Sequence, residues 1–141
     1  MINLKKICSS IALVSVLFAA TVQAEIVVVV NNANDNAVTK SDVKRIFLGK
    51  MKSFSNGGSI TAVDVSNTSP TREAFNKAAL KKSSSQVKAY WSKRVFSGKG
   101  TPPKVLDSDA KIKEFVAANP NAIGYIDSAS LDGTVKAALT L

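Results

Sequence analysis

Four hydroxyl side chains and an arginine lie close together near the middle of the chain, where they could bind an anion. They are Ser66, Thr68, Ser69, Thr71 and Arg72. A run typical of a strand precedes them and a pattern typical of a helix follows, so this segment opens a helix. The first amides of a helix have no acceptor within it, and the helix dipole favours negative charge there. These residues therefore predict an oxyanion site, with a well-capped helix that binds no ligand as the alternative.

The residue types that carry out most enzyme chemistry are scarce. Histidine is absent and Cys8 is the single cysteine, which leaves the chain without the commonest general base and with few transition-metal ligands. Asp107 and Asp109 stand at a predicted helix start, where carboxylates act as caps. The glycines around Lys99 lack the spacing of a nucleotide-binding loop. The sequence therefore predicts a binding protein with no catalytic residues, no metal site and no cofactor.

A second group, the basic stretch, combines cations with aromatic side chains. It consists of Lys88, Lys93, Arg94, Lys99 and Lys104, interleaved with Tyr90, Trp91 and Phe96. Such a combination can stack on nucleic-acid bases or bind another anionic partner. However, Trp91 lies at helical spacing from Val87 and Val95, which favours a core position and leaves the lysines as a solvated face. Nucleic acid is therefore not an expected partner.

Strands and helices alternate around the oxyanion segment. Residues 26–30 form a continuous β-branched run, typical of a strand buried on both faces. Residues 60–65 alternate as a strand does, residues 122–126 form a short apolar strand, and residues 135–139 are a further candidate. Four helices are expected between these strands. This order predicts one α/β layer structure in residues 25–141.

Each of the four helices has a recognisable start. The expected N-caps are Thr39, Ser69, the serines at 83–85, and Asp107 or Ser108. Thr39 forms a capping box with Asp42, and Pro70 is favoured at the first helical position after Ser69. The third helix is expected to turn four side chains inward, which are Val87, Tyr90, Trp91 and Val95.

Residues 1–24 have the features of a cleavable signal peptide. Lys5 and Lys6 precede an apolar stretch that ends in Val22 and Ala24 at the positions expected before a cleavage site. That stretch is shorter than the roughly 20 apolar residues that a membrane-spanning helix needs. Export to the periplasm is predicted. Removal of the two lysines lowers the formal charge from +9 to +7, a balance that favours anionic partners.

Three motifs resemble segments of the phosphate ABC transporter substrate-binding proteins. The first motif is residues 39–50, Thr-Lys-Ser-Asp-Val-Lys-Arg-Ile-Phe-Leu-Gly-Lys. It is similar to a family segment in which an aspartate, an isoleucine-phenylalanine pair and a glycine-lysine pair follow one another in that order. Residues 69–75, Ser-Pro-Thr-Arg-Glu-Ala-Phe, resemble the family's phosphate loop, Ser-Gly-Thr-Arg…Phe. Residues 121–126 resemble its late Ala-Ile-Gly-Tyr strand, and Val135 with Lys136 resembles the Val-Lys that follows. The chain is thus similar to a short, single-lobe member.

The resemblance implies a fold and a function. The fold would be a single three-layer lobe of the type 2 periplasmic-binding-protein class, with a mixed sheet flanked by about four helices. The domain would bind phosphate or a similar oxyanion, with Ser69 and Thr71 as the contacts that match the family loop, in connection with phosphate uptake or sensing. A transporter permease or another membrane protein would be its partner. A periplasmic adaptor that kept the lobe fold and lost the ligand is the alternative.

The chain also departs from the family pattern. Members are usually more than twice as long and close two lobes on the anion. Here Pro70 replaces the loop glycine and removes one amide donor, and Val65 stands where an arginine is expected. The ligands of the other lobe have no counterpart unless the polar loop 31–36 supplies them. Two chains meeting face to face could restore the missing wall, which makes a homodimer a further expectation.

Overall fold

A computed structural model describes residues 25–141. The predicted signal peptide, residues 1–24, lies outside the described residues. The strands are β1 Ile26–Val30, β2 Thr61–Val65, β3 Lys104–Leu106, β4 Ala122–Asp127 and β5 Lys136–Thr140. The helices are α1 Lys40–Phe47, α2 Pro70–Phe75, α3 Ser84–Phe96 and α4 Asp109–Ala118, with a π-helical segment Asn76–Leu80 and a short 3-10 helix Ser128–Ser130. Within the described residues, no helix is both long and apolar enough to cross a membrane.

The five strands form one mixed sheet in the order β3-β2-β4-β1-β5. β2 runs parallel to both of its neighbours, β3 and β4, whereas β1 is antiparallel to β4 and to β5. Every residue of β1 is buried, as the unbroken β-branched run predicts for a strand covered on both faces. The mixed α/β fold with four helices expected from the sequence is confirmed.

Helices cover both faces of the sheet. Gly124 and Tyr125 are consecutive residues of β4, so their side-chain positions face opposite sides. A Cβ atom on Gly124 would lie 2.8 Å from Ile112 of α4. On the other face, the Tyr125 ring stacks on Phe75 of α2, with centroids 3.7 Å apart, and meets Phe47 of α1 edge to face at 5.6 Å. The molecule therefore has three layers.

The predicted helix starts are confirmed. Thr39 and Asp42 form the capping box of α1, Ser69 caps α2 with Pro70 in first position, Ser83 caps α3, and Ser108, rather than Asp107, caps α4. The side chains of these caps accept hydrogen bonds from backbone amides that have no acceptor within the helix.

One sequence expectation needs correction, and one strand was not predicted. Val95 was expected to face inward, but it is 51% exposed, because the last turn of α3 extends past the core that holds Val87 and Trp91. Residues 104–106 were not predicted as a strand, yet they enter the sheet as β3. Its three residues pair with Val63–Val65 of β2, a long-range contact that the local pattern does not encode.

Candidate anion site

The Ser66–Arg72 segment begins at the carboxyl end of β2. It follows the last residue of β2, which is an interior strand with parallel neighbours on both sides. In open α/β sheets the crevices at the carboxyl ends of the strands are where ligands bind. The five predicted anion contacts are therefore brought together in one loop, at a position that suits a ligand.

The hydroxyl groups of the loop are held by one another and by the backbone. Ser66 Oγ and Thr68 Oγ1 are 3.1 Å apart, within hydrogen-bonding distance. Ser69 Oγ accepts the Thr71 amide at 3.2 Å, and the Ser69 amide donates to the Ser66 carbonyl at 2.9 Å. Thr68 is exposed, Ser66 and Ser69 are half-buried, and Thr71 is buried at 9% exposure. The loop thus has a defined shape without a ligand.

The backbone amides are less free than the sequence suggested. The Arg72 and Glu73 amides both point to the Ser69 carbonyl, at 3.1 and 3.4 Å, and Pro70 has no amide hydrogen. The Thr71 amide is already used by the Ser69 cap. An anion at this loop would therefore rely on hydroxyl groups and on Arg72 more than on the amides of the first helical turn.

Arg72 is fixed by two partners in β2. Its Nη2 lies 3.3 Å from Asp64 Oδ2, and its Nη1 donates to the Val65 carbonyl at 3.1 Å. The other Asp64 oxygen accepts a hydrogen bond from the Tyr125 hydroxyl. Side-chain exposure is only 13% for Arg72 and 8% for Asp64. The guanidinium is thus held in one orientation, because both of its partners are consecutive residues of β2.

Burial is the largest cause of the pKa shifts of the two titratable groups Asp64 and Tyr125 in this network. It raises the pKa of Asp64 above its ordinary value, an effect that the nearby Arg72 charge and the Tyr125 hydrogen bond oppose. Burial, and then the adjacent Asp64 carboxylate, raise the pKa of Tyr125. Tyr125 therefore remains protonated and acts as a donor.

Sequence reasoning missed three residues of this region: Asp64, Tyr125 and Asn76. Asp64 lies in the predicted strand 60–65 and is only 6% exposed. A carboxylate inside a strand that leads into the loop was the available signal, but its partner Tyr125 lies 61 residues away in sequence. Asn76 follows Arg72 by one helical turn and is 1% exposed, and its Nδ2 has no hydrogen-bond partner in residues 25–141.

An open groove of about 760 Å³, the α3 groove, adjoins the loop. Asn67, Arg72 and Asn76 line it near the loop, and α3 and β3 form its other walls. Trp91 also lines it while remaining 7% exposed, so the core position predicted for this side chain is confirmed. The α3 groove therefore connects the predicted anion site with the surface of α3.

The lysines of the basic stretch are exposed, as predicted for a solvated face. Arg94 differs, because it is half-buried and its guanidinium carbon lies 5.5 and 5.9 Å from the ring centroids of Tyr90 and Trp91. These distances are typical of cation–π contacts. The rings of Tyr90 and Trp91 are thus in contact with the protein's own cation, which leaves these two rings poorly placed to stack on nucleic-acid bases.

The polar loop 31–36 does not reach this site. Val30, at the end of β1, pairs with Ile123 of β4, and Ile123 pairs in turn with Ala62 near the start of β2. The loop after β1 therefore leaves the sheet at the opposite end from the loop after β2. Asn31 instead donates two 3.0 Å hydrogen bonds to carbonyls of the last turn of α4. Antiparallel pairing of β1 excludes the expected contribution of this loop.

Several solved structures that resemble this chain are phosphate transport proteins. An ABC-type phosphate transport receptor from Vibrio cholerae is 24% identical over 81% of this chain, with a TM-score of 0.63. A phosphate ABC transporter substrate-binding protein from Clostridium perfringens, solved with bound phosphate, is 25% identical over 81% of this chain, also with a TM-score of 0.63. PstS from Borrelia burgdorferi is 13% identical over 74%, with a TM-score of 0.55. No protein-family model and no curated protein sequence matches the chain.

The likeness to phosphate ABC transporter substrate-binding proteins that the motifs suggested is confirmed at the level of the fold. The chain spans about half the length of these structures, 46% of the first and 44% of the second. It therefore has the architecture of a single lobe.

Proposed function

We propose that this protein is a periplasmic, non-enzymatic domain that binds phosphate or a similar oxyanion at the Ser66–Arg72 loop. The contacts would be Ser69, Thr71 and Arg72, with Thr68 and Ser66 at the edge of the site. One observation carries the proposal. A loop of hydroxyl residues follows β2 and leads into Arg72, whose side chain is only 13% exposed, in a lobe whose structural neighbours are phosphate transport proteins.

The fixed orientation of Arg72 supports anion binding. A guanidinium carries five N–H donors in a planar fork, which suits phosphate oxygens. Among residues 25–141 its polar partners are the Asp64 carboxylate and the Val65 carbonyl, so donors remain for a ligand. Because its partners already hold Arg72, binding an anion would cost little side-chain entropy.

Binding by one lobe should be weak. Water reaches the exposed side of the loop and competes for each hydrogen bond, and salt screens the charge. We expect a dissociation constant near the millimolar range, about 4 kcal/mol weaker than micromolar binding. In this role the domain would serve phosphate uptake or sensing together with a transporter permease or another membrane partner.

Calorimetric titration with inorganic phosphate at low ionic strength tests the proposal. Ser69→Ala and Thr71→Ala should each weaken binding at least threefold, because each removes a hydroxyl from the loop. Ser41→Ala is the matched control, since Ser41 is an exposed hydroxyl residue of α1, and it should bind as the parent does. If both loop variants bind phosphate like the parent, the site lies elsewhere.

The alternative, an adaptor that lost its ligand, has one observation in its favour. The amides of Thr71, Arg72 and Glu73 all have acceptors within the loop, as in a capped helix without a ligand. In that case the parent protein would give no binding heat with phosphate or sulfate.

A further inference from the structure

The α3 groove has an apolar end that nothing in residues 25–141 covers. Phe96 is 96% exposed, Val95 is 51% exposed and Val105 is 48% exposed, and all three line the groove. Exposing a nearly complete phenylalanine side chain next to two valines is unfavourable in water. Contiguous apolar surface of this kind is typical of a binding site.

The other end of the same groove presents hydrogen-bond donors. Asn67 and Arg72 belong to the Ser66–Arg72 loop, called the anion loop below. Asn76 is 1% exposed, and its Nδ2 has no acceptor among the described residues. Leaving a buried amide donor unpaired costs free energy, so the position is suited to a ligand that supplies an acceptor.

The charge of the groove favours an anion. Arg72 and Lys88 line it, and none of the described residues in its lining is acidic. Lys88 is exposed and forms no ion pair with a carboxylate of residues 25–141. The groove thus combines a cationic, donor-rich end with an apolar end, within a volume of about 760 Å³, inside the range of roughly 300–1,000 Å³ that small-molecule sites occupy.

We propose that the ligand of this site is a soluble phosphate monoester, whose phosphoryl group binds at the Ser66–Arg72 loop and whose apolar body lies along Val95, Phe96 and Val105. The inference rests on the proposed function, because the loop must hold the phosphoryl group. The inference goes beyond that function, because inorganic phosphate has no apolar part that could contact the apolar end of the groove. A second copy of the chain fits this groove less well, since a domain of formal charge +7 would bring like charges together.

Trp91 provides the probe for the test, because it is the single tryptophan of the chain and lines the groove. Its emission would be followed during titration with hexyl phosphate, methyl phosphate, inorganic phosphate and hexanol. We expect hexyl phosphate to bind at least tenfold more tightly than methyl phosphate, because the hexyl chain buries apolar surface. Hexanol should bind more weakly than hexyl phosphate, because it lacks the phosphoryl group.

Two surface substitutions test where the hexyl chain binds. Phe96→Ser should weaken hexyl phosphate at least threefold and leave methyl phosphate unchanged. Leu131→Ser is the matched control, because Leu131 is 39% exposed but does not line the groove, and it should change neither affinity. Both substitutions are at exposed positions, so the fold should be retained. A Phe96→Ser variant that keeps the parent's affinity for hexyl phosphate would overturn the proposed placement.

The outcomes also separate this inference from the proposed function. Equal binding of hexyl phosphate, methyl phosphate and inorganic phosphate would overturn the inference and leave the oxyanion site standing. If no phosphate compound bound, both would fail. Binding to vesicles that contain phosphatidic acid, without binding of hexyl phosphate, would place the ester in a membrane and contradict a soluble ligand.

Discussion

Asp64 is the residue that links the anion loop to the rest of the molecule. It lies on β2 directly before the loop, pairs with Arg72 and accepts the Tyr125 hydroxyl. Removing the partner of a largely buried cation is costly, because the charge that remains is uncompensated. Asp64 therefore acts as a positioning residue for Arg72, and its substitution should affect anion binding through the orientation of the guanidinium.

The raised pKa of Asp64 gives the stability of the protein a predictable pH dependence. Between the ordinary carboxyl pKa of 3.8 and the higher value in the fold, the folded state holds a proton that the unfolded chain releases. The free energy of unfolding contributed by this group therefore rises as the pH falls through that window. Asp64→Asn removes the titration, so the parent should gain stability relative to this variant between pH 7 and pH 4.

Urea denaturation of both proteins across that pH range measures the difference. Tyr125→Phe is the control, because it keeps the Asp64 carboxyl and removes a hydrogen bond that lowers its pKa. This variant should show a pH dependence of the same sign over a wider pH window. A constant difference between the parent and Asp64→Asn over the whole range would show that this carboxyl does not titrate abnormally.

At the scale of elements, β4 determines how closely the two helical layers approach the sheet. Gly124 allows α4 to pack directly on the strand, while the next residue, Tyr125, carries the aromatic cluster on the other face. The two layers therefore depend on adjacent residues of one strand. The anion loop follows the parallel neighbour of this strand, so its position depends on the same packing.

Gly124→Ala should destabilise the fold. The added Cβ would lie 2.8 Å from Ile112 Cγ2 and 3.1 Å from Val63 Cγ2, so α4 or the strand must shift, at a cost of about 2 kcal/mol. Thermal or urea unfolding measures the change. Gly133→Ala is the matched control, because a Cβ at Gly133 meets no atom within 4 Å, and it should leave stability nearly unchanged.

The suggested contact between Gly124 and Ile112 can be tested by a second substitution. Ile112→Ala alone opens a cavity, but in combination with Gly124→Ala it makes room for the new methyl group. The double variant should therefore lose less stability than the sum of the two single variants. Additive losses would mean that the clash lies elsewhere.

At the scale of the whole molecule, the described residues form a single lobe. The chain spans about half of its structural neighbours, and the loop is open to water on one side. A face-to-face homodimer would supply a second wall, but the formal charge of +7 for residues 25–141 opposes it. An anion bound between two loops would reduce this repulsion.

If homodimerisation completes the site, the association should depend on phosphate. Light scattering is expected to give the mass of one chain at low phosphate and a larger mass at concentrations of tens of millimolar. Sodium chloride at matched ionic strength controls for screening of the charge. A monomer under both conditions would exclude the homodimer.

The sequence by itself determined the local features of this protein. The buried β1, the helix starts at Thr39 and Ser69, and the core position of Trp91 all follow from contacts or patterns within a few residues. The phosphate-loop motif also predicted the likeness of the fold to phosphate ABC transporter substrate-binding proteins. These predictions were possible because capping and amphipathic patterns act over one or two helical turns.

Only the tertiary structure decided what surrounds the predicted site. The pairing of β2 with β3, the placement of Asp64 beside Tyr125 and the exposure of Val95 each depend on residues far apart in sequence. The antiparallel pairing of β1 with β4 likewise placed loop 31–36 at the far end of the sheet. Such contacts are set by how strands order themselves in the sheet, and a local pattern carries no information about that order.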